Sequence, residues 1–345
     1  MDHNVKLESA RALKLEISDA VVRRNESMVA NLLLDVALPG LFALSAVGRP
    51  LCSLGIAKGN WPGDYRLAVR VEGKSASNAG FLAYIQRATN GEFDIRCTGP
   101  VGKLAESGDA LWPRSRHRPL VIGVPVGHSA VSAGTLGCFA IHRPTGRAVL
   151  VSNNHVLADE DRASPGDPIL QPAGADGGKG PDDQIAELLV AEPLKPTENI
   201  VDVAVGSLVP SVTFDPVSLT GSGNLRGMRQ PQLEPGDPVL KIGRSSGLTF
   251  GIVTAIELDS VAVAYDTGTH VFDRQIEIEG TGSNAFSASG DSGSMIVDES
   301  GLACGLLFAG SEHGGTNGKG LTFANDIHQV FATLHLELAS TSPGA

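Results

Sequence analysis

At roughly 100 to 200 residues per domain, a chain of 345 residues can hold two or three core-bearing units, so size is no obstacle to a stable core. The formal net charge of -11, from 27 basic and 38 acidic residues, argues against a general nucleic-acid or anionic-membrane binder, although a local basic patch would survive it. With 42% hydrophobic and 5% aromatic residues, 42 glycines and 20 prolines, the composition favours a soluble protein of many short strands over a helical bundle.

In chain order, residues 1–41 read as an N-terminal helical segment, because Leu7, Leu13, Ile17 and Val21 recur at near-helical spacing. Charges interrupt this stretch throughout, so it is neither a secretory signal nor a membrane span, and the expectation is a cytoplasmic protein. Residues 42–105 carry the strand-like runs "LFALSAV", "PLCSLGIA", "YRLAVRVEG" and "FDIRCTG", with "NAGFLAYIQRATNG" between the last two, which predicts a small α/β module. Residues 106–117 are polar, proline-containing and locally basic. With Arg114, Arg116, His117 and the following Arg118, this stretch reads as a solvated linker.

From 118 to 338 the chain reads as one mainly β unit. Short strands with turn signals predict one barrel over about 118–212 and a second over about 230–323, closed by a helix over about 324–338. Within the first, "GTLGCFAIHRPTGRAVLVSNNHVLA" predicts a hairpin with Pro144-Thr145-Gly146 at its tip. "QPAGADGGKGPDDQ", residues 171–184, reads as a surface loop. Cys52, Cys97, Cys138 and Cys304 form no CxxC pair and no paired-histidine spacing, so free, mostly buried thiols are expected, with neither a disulfide framework nor a zinc site.

The stretch "FSASGDSGSMIVDESGLACGLLFAG" sets a glycine-broken polar turn around Ser292 directly before an apolar run. Gly, Asp and Ser make such turns without doing chemistry, but a serine held there can also be a nucleophile if a base and an orienting carboxylate accompany it. His155 in "VLVSNNHVLADE" follows the end of an apolar strand, where a histidine often only caps the strand. Asp202 in "NIVDVAVGSL" is a carboxylate among apolar residues, and burying it unpaired would cost several kcal/mol, so its site must supply partners. The order His155, Asp202, Ser292 is that of chymotrypsin-like enzymes and differs from subtilisin and the α/β-hydrolases.

"GDSGS", "SNNHVLA" and "VDVAV" resemble the serine, histidine and aspartate boxes of the trypsin-like proteases. Together with "GTLGCF", "PGDPILQP" and "VLKIGRSSGLTFG" they are similar to the intracellular bacterial group related to the plant narrow-leaf type, over about residues 118–335. The resemblance implies a chymotrypsin-like double β-barrel behind a small α/β module, and a serine endopeptidase working through an acyl-enzyme. Ser292 is then nucleophile, His155 general base and acid, and Asp202 the orienting carboxylate. It implies an oxyanion hole from the N–H groups of Gly290 and Ser292, where one lost donor costs roughly 3 to 4 kcal/mol in a related case, with Asp291 holding the loop. In secreted trypsins the matching aspartate pairs with an amino terminus released on activation; no such activation sequence is evident here, which favours a constitutive loop or control by a partner.

By the same resemblance Phe286 lies at the base of the substrate pocket, with Phe308, Ala309, Gly310 and Gly320 as walls, implying a small or apolar residue at the cleavage site. Lys241 and Arg244 read as solvated cations at a strand end, the alternatives being that they face substrate or support the serine loop. The implied partner is a protein or peptide substrate, with no cofactor, metal, nucleic acid or membrane. The N-terminal module and terminal helices also offer surface for a homo-oligomer. Two other readings remain: a protein-interaction module with a latent site on the same fold, and an esterase-like hydrolase of small acyl substrates.

Overall fold

The computed structural model describes residues 3–21, 52–61, 63–72, 79–103, 114–131 and 133–339. The N-terminal third contributes α1 (His3–Val21), β1 (Cys52–Lys58), β2 (Tyr65–Val71), α2 (Ala79–Ala88), β3 (Phe93–Cys97) and β4 (Val101–Gly102). The first β unit contains β5 (Leu120–Ile122), β6 (Pro125–His128), β7 (Gly134–Thr135), β8 (Cys138–His142), β9 (Arg147–Ser152), the short α3 (Asn154–Leu157), β10 (Pro168–Leu170), β11 (Gln184–Ala191) and β12 (Ala204–Leu208). After β13 (Phe214–Leu219), β14 (Gly223–Asn224) and β15 (Gly227–Met228) comes the second unit. It comprises β16 (Pro238–Gly243), β17 (Gly247–Asp259), β18 (Val261–Tyr265), β19 (Gly268–Phe272), β20 (Gln275–Gly280), β21 (Met295–Asp298), β22 (Leu302–Ser311) and β23 (Leu321–Asp326). The chain then forms α4 (Ile327–Thr333) and β24 (Leu336–Leu338).

The two units are a closed six-stranded barrel and a half-barrel, the chymotrypsin-like double-barrel plan implied by the sequence. They share apolar packing: Val124, Leu136 and Val151 of the first sit in one cluster with Ile242, Met295 and Leu306 of the second. Along β9, Val149, Leu150 and Val151 are all buried, which is what a continuous apolar run produces in a strand covered on both faces. The predicted hairpin forms between β8 and β9, His142 pairing with Arg147 around the Pro144-Thr145-Gly146 tip.

Strands β1, β2 and β3 continue the second unit's sheet, because β1 pairs antiparallel with β17 through Ile56 opposite Ile256 and Ala57 opposite Ala255. A buried ion pair reinforces the junction, the Arg70 guanidinium meeting Glu277 at 2.5 and 2.8 Å. Helix α1 lays Ile17 into a cluster with Leu54, Leu67 and Ile85, and Lys14 reaches Asp259 at 2.7 Å.

The C-terminal helical period predicted over 324–338 is realised in 327–333 alone. Asp326 caps the helix by accepting the N–H groups of His328 and Gln329, and β24 then returns to pair with β8. The 171–184 loop is less superficial than its composition indicates, since Gln171 is buried and accepts from His117 and Arg118. Arg116 also faces Asp183 at 3.3 Å, so the described end of the predicted linker is tied down by this loop. Residues 106–113 of the linker lie outside the described residues, as do 22–41 of the N-terminal segment and, in the predicted α/β module, residues 42–51 with the "LFALSAV" run. All four thiols are free, Cys97 being the exposed one.

Candidate active site

His155 stands on α3, the single helical turn that follows the end of β9, and Asp202 lies just before β12, the strand that pairs with β9. This pairing brings the two together: His155 Nδ1 lies 2.5 Å from Asp202 Oδ2, both side chains buried. An ionised carboxylate can only accept, so Nδ1 carries the proton and Nε2 is left with a free lone pair.

The remaining capacity of Asp202 is filled by neutral donors. Asn154 N–H donates to Oδ1 at 2.6 Å, and the Tyr265 hydroxyl donates to Oδ2 at 2.7 Å. The Tyr265 ring also meets the imidazole edge-on, centroids 5.6 Å apart. Burial, followed by the Asp202 charge, pushes the Tyr265 hydroxyl well above its ordinary range, so it stays a donor through neutral and alkaline pH. The Asp202 backbone is fixed as well, its N–H donating to Asn325 Oδ1 and its carbonyl accepting from Asn153. Among the described residues no lysine or arginine forms an ion pair with Asp202.

Ser292 sits on the turn before β21, and the turn is docked on the first barrel through Thr135. Thr135 N–H donates to the Ser292 carbonyl at 2.8 Å, and the Thr135 hydroxyl donates to the Gly290 carbonyl at 2.8 Å. A Cβ at Gly134, just before Thr135, would run into both the Val156 side chain and the Ser292 carbonyl, so the serine turn and the His155 turn close on this glycine together. Among the described residues no hydrogen bond joins Ser292 to His155, and the serine hydroxyl is partly exposed. Such a contact is often long in a free enzyme.

Within the turn, Asp291 N–H, Gly293 N–H and Ser294 N–H donate to Ala288, Leu307 and Asp291 carbonyls respectively. The N–H groups of Gly290 and Ser292 have no protein acceptor among the described residues, the pattern expected of two donors left for an incoming oxygen. Gly290 and Gly293 adopt φ of 89° and 91°, the left-handed region that side chains with a Cβ avoid.

Asp291 is the centre of the clamp on this turn. It accepts Ser245 N–H at 2.8 Å, Ala288 N–H at 2.9 Å and the Ser246 hydroxyl at 2.5 Å, and pairs with Lys241 Nζ at 2.9 Å with both side chains fully buried. Burial alone would raise its pKa, but the Lys241 charge and these donors outweigh it and hold the carboxyl below its usual range. Arg244 is buried too: it grips Asp176 at 2.7 and 2.8 Å and lies against Gly290. The reading of Lys241 and Arg244 as solvated cations is therefore overturned. The "KIGRSSG" segment turns inward and supports the serine loop, since an apolar strand end packed against a buried aspartate leaves no route for the lysine to reach water.

The expected pocket residues divide between two clusters. Phe286 packs with Val253, Ile278, Ile296 and Leu307, whereas Phe308 and Ala309 pack with Phe272, Val263 and Val101. Gly310 and Gly320 are buried along and beside β22. Among the described residues no group of acidic, histidine and cysteine side chains is arranged to hold a metal.

No family model matches this chain, and no curated protein matches it. Among solved structures, Thermobifida fusca protease A is 16% identical over 64% of this chain and 98% of its own, with a TM-score of 0.46. A chymotrypsin of Cellulomonas bogoriensis is 16% identical over 64% and 99%, with a TM-score of 0.45. A Nocardiopsis protease is 19% identical over 64% and 98%, also with a TM-score of 0.45.

Proposed function

We propose that the chain is a serine endopeptidase that hydrolyses peptide bonds through an acyl-enzyme on Ser292. The observation that carries the reading is the His155–Asp202 pair at 2.5 Å, oriented so that Nε2 is the free base, with two unpaired N–H groups at the serine turn of the facing barrel. In the first step His155 takes the Ser292 proton as the serine oxygen attacks the scissile carbonyl, whose oxygen becomes an anion facing the N–H groups of Gly290 and Ser292. The imidazolium then protonates the leaving amine, and water, deprotonated by the same imidazole, releases the acid and frees Ser292. Asp202 remains ionised and stabilises the imidazolium. The sequence motifs favour the intracellular bacterial group related to the plant narrow-leaf type, with a protein or peptide substrate carrying a small or apolar residue at the cleavage site. No helix among the described residues is long and apolar enough to cross a membrane.

The latent-site reading is favoured by one observation, the open Ser292–His155 contact. Hydrolysis of a mixed peptide library, read by mass spectrometry, separates the two: the wild type generates new amino termini and Ser292→Ala does not. Equal cleavage by both proteins would contradict the endopeptidase.

A further inference from the structure

Strand β4 comes from the N-terminal third, yet it lies inside the second unit's sheet. It pairs antiparallel with β22, Gly102 opposite Gly310 and Val101 opposite Ser311, and parallel with β18, Val101 opposite Val263 and Gly102 opposite Ala264. Among the described residues β18 and its partner β19 join the sheet path through β4 alone. Removing two residues of β4 would leave a slot one strand wide, edged by backbone on both sides, the geometry that an extended peptide fills by strand addition.

Both walls of this slot lead to the candidate site. On β22, Leu307 exchanges backbone hydrogen bonds with Gly293 and Ser294. On the other wall β18 ends at Tyr265, which holds Asp202 and packs on His155. Because β4 runs opposite to β22, the chain leaving Gly102 heads along β22 toward its Leu307 end and the serine turn. Lys103 then reaches two carboxylates that flank this end, Glu160 Oε1 at 2.8 Å and Asp266 Oδ2 at 2.9 Å. Glu160 is built for a cation: it also accepts the N–H groups of Asp266 and Thr267 at 3.2 and 2.9 Å. Val101 joins the apolar cluster that holds Phe308 and Ala309. A small pocket of about 20 Å³ beside it is bordered by Val101, Cys52 and Ala262 together with the polar Arg70, Glu72 and Thr98.

We propose that Val101–Lys103 is an internal occupant of a peptide-binding slot, and that Glu160 with Asp266 forms a subsite for a basic side chain. The inference rests on the endopeptidase reading above and deepens it. The chain blocks its own site with a segment that presents an apolar, a small and a basic residue in turn, and peptides of that chemistry must displace it. An occupant tethered in cis acts at an effective concentration in the millimolar range, so an added peptide meets a strong competitor until β4 leaves.

The test uses the full chain carrying Ser292→Ala, so that no probe is cleaved, and a fluorescent peptide of sequence TGPVGKLAE, which copies residues 98–106. Proline at position 102 removes an amide hydrogen and is poorly tolerated inside a sheet, so Gly102→Pro should eject β4. Anisotropy is expected to show at least ten-fold tighter binding to Gly102→Pro/Ser292→Ala than to Ser292→Ala. A peptide with Glu in place of the Lys103 equivalent should bind at least ten-fold more weakly than the parent. Equal affinity of the two proteins, with thermal unfolding showing the proline variant intact, overturns the proposal, as does indifference to the lysine. If Gly102→Pro unfolds, hydrogen exchange on the Ser292→Ala chain decides: millimolar peptide should speed exchange at Val101–Lys103, and unchanged exchange refutes displacement. Because these readouts need no nucleophile, they fail independently of the endopeptidase reading, whose own failure would show as absent library cleavage by Gly102→Pro and wild type alike with peptide binding intact.

Discussion

Two buried aspartates, one in each β unit, are satisfied in opposite ways. Asp291 has a full cation, Lys241, and a cage of N–H and hydroxyl donors, whereas Asp202 has an imidazole, a phenol and backbone amides but no lysine or arginine among the described residues. A permanently neutralised carboxylate can only hold structure. One whose charge is matched by neutral donors keeps a net negative charge to offer a proton-accepting imidazole, so under the proposed mechanism the second unit's aspartate holds structure and the first unit's serves proton transfer.

The contrast breaks most visibly at Asp202. If the proposed mechanism holds, Asp202→Asn is expected to reduce kcat by about 10⁴, the loss seen when the carboxylate of a Ser-His-Asp triad is replaced, with the fold retained. Steady-state hydrolysis of a peptide found in the library screen measures this, and a loss below ten-fold would remove Asp202 from the chemistry. Next is Lys241→Met, which leaves Asp291 buried and uncompensated and should destabilise the chain by about 3 to 5 kcal/mol in denaturant unfolding. Adding Asp291→Asn to it should recover part of that loss, and strict additivity of the two would refute a coupled pair.

Tyr265→Phe sharpens the comparison. A hydrogen bond to a charged group contributes roughly 1.5 to 3 kcal/mol, so kcat/KM should fall by about ten- to a hundred-fold if the bond serves the reaction. A merely structural tyrosine would lower stability and leave kcat/KM in place.

The smallest effect concerns pH and Asp291. Its folded pKa is depressed, so its contribution to stability is fully present above the unfolded value of about 3.9 and is lost as pH falls through the lower folded value. The stability gap between wild type and Asp291→Asn should therefore hold from pH 7 to about 5 and shrink below about 4. A gap that varies between pH 6 and 8 would point to a different partner.

The sequence carried the double barrel and the pairing of His155 with Asp202 because each leaves a local mark. Alternating β-branched runs end in turns, and a carboxylate inside an apolar strand demands a partner. Tyr265 left none, since "VAVAYDTG" reads as any strand end, and its role depends on a hairpin folding back over the first barrel. Lys241 was misread because a cation at a strand end is ordinarily solvated, and its partner lies fifty residues away. Thr135, which docks the serine turn, is an unremarked residue of "GTLGCF" until the barrels meet. Strand β4 is two residues long and gains its meaning from neighbours more than 150 residues downstream.

The most direct test is covalent: a fluorophosphonate added to the purified chain, the adduct read by intact mass, with Ser292→Ala and His155→Ala as controls. A single adduct on wild type, absent from Ser292→Ala and strongly reduced in His155→Ala, is the result expected of a serine activated by the His155–Asp202 pair. An adduct that persists in Ser292→Ala, or none on well-folded wild type and on Gly102→Pro alike, would contradict it.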